Sequence, residues 1–321
     1  MRILLAGASG AVGRRLLPLL LANNHQVTAI THAPERLAAL RSTGADAVVA
    51  DGLDATALMH AVTQAGPEII IHQMTALTRA TSLRNFDRQF ALTNRLRTEG
   101  TDNLLQAARA AGVRRFIAQS YGNWNYQRTG TGLTTEQDPL DPTPPANQRQ
   151  SLAAIRHLEH SVTTAPGIDG TVLRYGNFYG PGTGISPNGI IVKAVRKRML
   201  PIIGNGAGVW SFIHVDDAAT ATIAAMDHGA SGIYNIVDNE PAPVAVWLPE
   251  LASALGAKPP RHIPAWLGRL IMGEVGISMM TRIRGASNHK ARTELAWNPR
   301  YPTWREGFRI GLADTAPPTG G

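Results

Sequence analysis

Glycines 7, 10 and 13 lie in the heptapeptide Gly7-Ala8-Ser9-Gly10-Ala11-Val12-Gly13, between an apolar run and a helix-forming run at the start of the chain. That order suits the binding of a dinucleotide pyrophosphate. The first glycine permits a tight turn, the second lets backbone approach the phosphates, and the third lets helix pack closely on strand. The helix N-terminus adds a field that favours negative charge. An NAD site usually places an acid about twenty residues further on, at the end of the second strand. Here that place reads Thr31-His32-Ala33-Pro34-Glu35-Arg36. Thr31, His32 and Arg36 can accept a 2′-phosphate, which favours NADP(H) and leaves NAD(H) as the second choice; the bland alternative is that Glu35 and Arg36 decorate a helix start.

The elements needed to position this loop follow from apolar periodicity. Arg2–Ala6, Gln26–Thr31, Ala47–Ala50, Glu68–His72, Arg115–Gln119 and Gly170–Arg174 read as strands. Ala11–Asn23, Pro34–Arg41, Ala55–Gln64, a long stretch Phe86–Ala111, and Gln148–Thr164 read as helices. Strands apolar throughout, each followed by a crossover helix, predict an α/β fold: a doubly wound parallel Rossmann sheet covered on both faces. Residues 1–175 form this dinucleotide-binding part. Residues 176–314, with strands near Trp210–Ile213 and Gly232–Val237, read as a smaller C-terminal substrate-binding lobe packed on it. Residues 315–321 read as a flexible tail.

Composition narrows the function classes. The 321 residues include 44% hydrophobic and 17% charged side chains, as expected of a soluble globular protein, and no cysteine, so thiolate metal sites and cysteine nucleophiles are excluded. No metal is expected. The formal charge of +8 is scattered, and its densest cluster, Lys193, Arg196, Lys197 and Arg198, reads as a solvated helix face, so no nucleic-acid partner is expected. Leu16–Ala22 is too short to span a bilayer, and a cytoplasmic location is the default. The apolar run Ile263–Met280 can line a pocket, form the subunit contact of a homodimer or touch a membrane; its Arg269 and Glu274 argue against a spanning helix.

Together with Gly7–Gly13, several stretches resemble the extended short-chain dehydrogenase/reductases, the group of NAD-dependent epimerases and dehydratases. They are Ala50-Asp51-Gly52-Leu53, His72-Gln73-Met74-Thr75, Gly100-Thr101-Asp102-Asn103-Leu104-Leu105, Arg174 to Tyr179-Gly180-Pro181-Gly182, Phe212-Ile213-His214-Val215-Asp216-Asp217-Ala218, and Lys290-Ala291-Arg292 to Trp297. The resemblance covers nearly the whole chain. It implies that Asp51 and Gly52 lie at the adenine and that Gln73, Met74 and Thr75 lie beside the cofactor ribose. It also implies that the aspartates of the HVDD stretch cap a helix start.

The family's chemistry rests on a Ser/Thr after the fifth strand and on Tyr-x-x-x-Lys in the next helix, where the four-residue spacing puts both groups on one face. None of the six tyrosines, Tyr121, Tyr126, Tyr175, Tyr179, Tyr234 and Tyr301, has a lysine four residues later. With Glu159 as the anchor, the resemblance puts Ser151 and Ile155 at the tyrosine and lysine positions. Tyr121, at the end of the fifth strand, becomes the candidate acid/base, with Ser120 and Ser151 helping to hold a substrate oxygen; the alternative is a Tyr121 that packs on Trp124. Tyr175 is a second candidate at the end of the sixth strand. Trp210 stands where the family's nucleoside-diphosphate-sugar enzymes carry a phosphate-gripping arginine. With Trp124, it points to a neutral or aromatic substrate. The resulting expectation is an NADP(H)-dependent oxidoreductase acting on a carbonyl or alcohol of a hydrophobic small molecule. A non-redox cyclase, dehydratase or isomerase and a non-catalytic cofactor-binding regulator are the alternatives.

Overall fold

The computed structural model describes residues 1–77 and 83–313; the tail expected after Asp314 lies outside the described residues. Six strands, β1 (Arg2–Ala6), β2 (Gln26–Thr31), β3 (Asp46–Val49), β4 (Ile69–His72), β5 (Arg115–Tyr121) and β6 (Asp169–Tyr175), are joined by a seventh at Gly232–Ile236. The sheet runs β3-β2-β1-β4-β5-β6 and then Gly232–Ile236, and every neighbouring pair is parallel. The strand order reverses between β1 and β4, which is where such a sheet opens a ligand crevice at its C-terminal edge.

Side-chain alternation explains why both faces are covered. Ile3 and Leu5 of β1 point to one core with Leu16, Leu17 and Leu20 of the helix Gly13–Ala22 and Ala218, Ala221 and Ala225 of the helix Val215–His228. Leu4 and Ala6 point to the other, with Leu58, Leu104, Leu105, Leu158 and Val162. The helix Val215–His228 and the strand Gly232–Ile236 come from the second half of the chain. The lobe is therefore interleaved with the sheet, not simply appended after residue 175.

Two expectations change. The long helix is three segments, Phe86–Gln89, Ala91–Arg97 and Glu99–Ala110, broken at Phe90 and at Thr98 (φ −96°, ψ −84°). The Thr98 hydroxyl bonds back to the carbonyl of Asn94 at 3.1 Å, a local alternative to the helical ladder. The break turns Ala91–Arg97 onto the helix Arg149–Thr163. In the HVDD stretch the capping atom is His214 Nδ1, which accepts from the Asp216 N–H at 3.1 Å. Asp217 instead accepts the N–H groups of Arg300 and Tyr301 at 2.7 and 3.0 Å, and Asp216 pairs with Arg15 at 2.6 Å. The ring of His214 also donates to the carbonyl of Gly311 at 2.8 Å.

The lobe is built from short strand pairs: Asn177–Tyr179 with Phe212–His214, Val209–Trp210 with Ala242–Pro243, and Ile202–Ile203 with His262–Ile263. The helix Ala265–Thr281 kinks at Gly273; its first half exposes Trp266, Leu270 and Ile271, and its second half buries Val275 to Met280. Among the described residues, no helix is long and apolar enough to cross a membrane.

Candidate active site

The glycine loop is a cradle that side chains would fill. Gly7 has φ +92°, and a Cβ there would lie 2.7 Å from the main-chain carbonyl of Gln73; a Cβ at Gly13 would run into the Gly7 carbonyl and lie 2.7 Å from that of Ala8. Ala8 and Val12 are buried beneath the turn, and Ser9 and Ala11 are partly buried. The helix Gly13–Ala22 starts with no side-chain cap and no acid in its first turn, so the positive end of its dipole faces the loop without a competing carboxylate. These residues fit a dinucleotide pyrophosphate.

Thr31 is buried at the end of β2. Its hydroxyl lies 3.1 Å from that of Ser9 and accepts the Ala33 N–H at 3.2 Å, so it braces the loop. His32 and Arg36 are exposed at the same edge. Asp51 is exposed after β3 and accepts the Leu53 N–H at 3.0 Å, while Gly52 is packed so closely on Met74 that a Cβ would lie 2.7 Å from its sulfur. Gln73 and Met74 are buried after β4, and Thr75 is half-buried. Gln73 donates to Tyr175 at 3.2 Å, and its carbonyl oxygen has no partner. His72 accepts the Met74 N–H at Nδ1, which leaves its Nε2 to donate to Thr101 at 3.2 Å; burial pushes its pKa down to about 4, so it is neutral.

The structure separates the expected catalytic residues. Ser120 donates to Glu159 at 2.8 Å. Glu159 is gripped by both arms of Arg174, at 2.6 and 2.7 Å, and Arg174 also donates to Tyr126 at 2.9 Å. Ser120 is thus part of a buried ion-pair network and offers no hydrogen to a substrate. Ser151 is fully buried; it donates to Asp87 at 2.7 Å and accepts from Asn94 at 3.0 Å. Asp87 also accepts the N–H groups of Gln150 and Ser151, capping that helix from outside. Ile155, one turn on, is fully buried.

Tyr121, Trp124 and Trp210 do meet, in a cluster with Phe86, Phe90, Leu152, Ile155, Val275 and Met279. Tyr121 stacks obliquely on Trp124 at 5.9 Å and donates its proton to Asn177 at 2.7 Å. Burial raises its pKa well above the ordinary phenol value, while the charge of Arg97 opposes the shift. Trp210 donates its N–H to the Met279 carbonyl at 2.8 Å and lies 5.0 Å from the ring of Trp247. Tyr175, expected at the substrate, is fully buried in the core beneath the helix Val215–His228. It donates to Thr222 at 2.7 Å, and burial pushes its pKa up to about 12. Its side chain shares a face with Leu173, which the helix Val215–His228 covers.

Four residues of this site carry no local sequence signature: Asp87, Asn94, Arg97 and Asn177. The spacing of Asn94 and Arg97 puts them on one helix face, visible once the break at Thr98 is known.

Residues 3–237 match the NAD dependent epimerase/dehydratase family. The chain belongs to that family. It is 44% identical over 311 residues, 96% of this chain and 99% of the relative, to a 3-diazoavenalumate denitrifying reductase of a Streptomyces species. Among solved structures of the same fold, the Thermus thermophilus UDP-glucose 4-epimerase in complex with NAD aligns with a TM-score of 0.74 at 23% identity, covering 97% of this chain and 98% of that one. The human epimerase family protein SDR39U1 with NADPH aligns with a TM-score of 0.75 at 19% identity, covering 97% and 99%.

Proposed function

We propose that this family member is an NADPH-dependent reductase of an aromatic small molecule whose reduction needs no proton delivered by the enzyme. The observation that carries this reading is the enclosure of Ser151 and Ile155, with the Ser151 hydroxyl spoken for by Asp87 and Asn94, in a chain whose glycine cradle fits a dinucleotide. Neither side chain can relay a proton. Tyr121 is a poor acid for the same purpose, because its proton is held by Asn177 and burial opposes its ionisation.

Bound NADPH would supply a hydride, and an arenediazonium fits that supply: hydride adds at the ring carbon, the C–N bond breaks, and arene, dinitrogen and NADP⁺ result in balance. The relative named a denitrifying reductase of a diazo compound supports this class. The chain's own residues would hold and dry the substrate: the partly exposed Tyr121 and Trp210 offer aromatic surface, and the buried Trp124, Phe86, Ile155 and Met279 behind them exclude water. His32 and Arg36, exposed at the end of β2 with no acid at the strand end, support a preference for the 2′-phosphate of NADPH.

Turnover of an arenediazonium phenol with NADPH, followed by loss of NADPH absorbance and release of dinitrogen, tests the proposal. Tyr121→Phe is expected to keep that rate within about fivefold, because a general acid worth 10²–10⁴ is not being used. A ketone, the sequence-based expectation, needs a proton on oxygen. Ketone reduction that collapses about 100-fold or more in Tyr121→Phe, with no diazo turnover, would restore the carbonyl reading. Conversion with no NADPH consumed would mean a non-redox enzyme.

A further inference from the structure

The guanidinium of Arg97 has no hydrogen-bond or ion-pair partner among the described residues. It is only 6% exposed, and its Nη1 is enclosed and unpartnered. Its charge is felt by His72 after β4, by Tyr121 at the end of β5 and by Glu159. These positions lie in the half of the sheet that takes the nicotinamide nucleotide, away from the glycine loop. Glu159 favours the cation from a distance, but none of the three bonds to it. His72 is neutral, Tyr121 keeps its proton, and Glu159 is saturated by Arg174 and Ser120. Two acceptors from the flanking elements, Asn94 Oδ1 and Gln73 Oε1, are also buried without partners.

An uncompensated buried charge is costly and persists where something outside the fold completes it. Burial has pushed the Arg97 pKa down only to about 10, so the group is still a cation at neutral pH. The guanidinium fork is matched to oxyanions and can hold two oxygens at once. We propose that Arg97 binds an anionic oxygen of the substrate, a carboxylate or a phenolate, and so restricts the enzyme to aromatic acids and phenolates. The proposal rests on the reading of this cleft as the reductase site.

The test is binding without turnover. Protein saturated with NADP⁺ is titrated with cinnamate, 4-nitrophenolate and methyl cinnamate by calorimetry, in wild type, Arg97→Met and Arg97→Lys. At least one of the two anions is expected to bind wild type, the tighter one naming the source of the oxygen. The neutral ester should bind about 30-fold more weakly, and Arg97→Met should lose the same factor, with Arg97→Lys between. NADP⁺ affinity should be unchanged in both variants. Ligand-free Arg97→Met should unfold at the same or a higher temperature than wild type, since an unpaired charge has been removed. Equal binding of acid and ester, equal loss of NADP⁺ affinity, or a lowered unfolding temperature would each overturn the assignment, the last by making Arg97 a structural support. Because nothing is turned over, a failure of hydride chemistry does not affect the outcome. Conversely, a reductase whose Arg97→Met variant keeps its KM refutes only this role.

Discussion

Glu159→Gln is expected to destabilise the protein by about 3–5 kcal/mol, the usual loss when one member of a buried ion pair is removed. The reason lies in what is left behind. The side chains of Arg174 and Glu159 are 4% and 6% exposed, and the pair is bidentate. Glutamine has nearly the size of glutamate but no charge, so Arg174 would keep its hydrogen bond to Tyr126 and lose its neutralisation. Arg97 also feels the charge of Glu159 from a distance, so a second guanidinium would lose that favourable field. Urea unfolding followed by tryptophan fluorescence measures the loss. A double replacement, Glu159→Leu with Arg174→Met, should recover most of it, because the solvation cost of both charges disappears together. A Glu159→Gln protein within about 1 kcal/mol of wild type would show that the network is not a structural core.

Gly13→Ala should weaken NADPH binding about 10- to 100-fold, read by quenching of intrinsic fluorescence or by calorimetry. The added methyl would meet two main-chain carbonyl oxygens, Gly7 and Ala8, which cannot rotate away as a side chain does. Relief requires the helix Gly13–Ala22 to back off the strand, at an overpacking cost of about 1–3 kcal/mol. The same movement carries the helix N-terminus away from the phosphates, so binding should fall by a comparable free energy. An affinity within threefold of wild type would mean that the cofactor does not use this turn.

The sheet was legible because each strand is a short apolar run and each crossover helix has its own period, and both signals are local. The broken helix was not. Apolar spacing continues through Phe90 and Thr98, neither residue is a breaker by type, and what turns the chain is packing against the helix Arg149–Thr163. Arg97 was lost with that break, since its orientation follows from it. The glycine loop was legible for the opposite reason: seven consecutive residues contain the whole device. Tyr175 was placed at the substrate because strand ends face the crevice. Which face is covered, however, depends on Thr222, distant in sequence, which supplies the partner of the hydroxyl. Ser120 went the same way, drawn into the network of Glu159 and Arg174. Strand position can be read from local pattern, but the partner of a buried polar atom is a long-range fact.

The anchoring of Arg300, Tyr301 and Gly311 by Asp217 and His214 has a consequence for how the protein is made. The helix Val215–His228 is translated well before the residues that satisfy its buried carboxylate and imidazole. Until residues 300 to 311 have left the ribosome, Asp217 and His214 lack these partners, and the lobe core around Phe212 and Trp247 lacks Tyr301, Trp304 and Phe308. Closure of the lobe core therefore waits for the last part of synthesis. A chain stopped before residue 300 would be one for chaperones and proteases to handle, even though its cofactor loop was complete from the first few seconds.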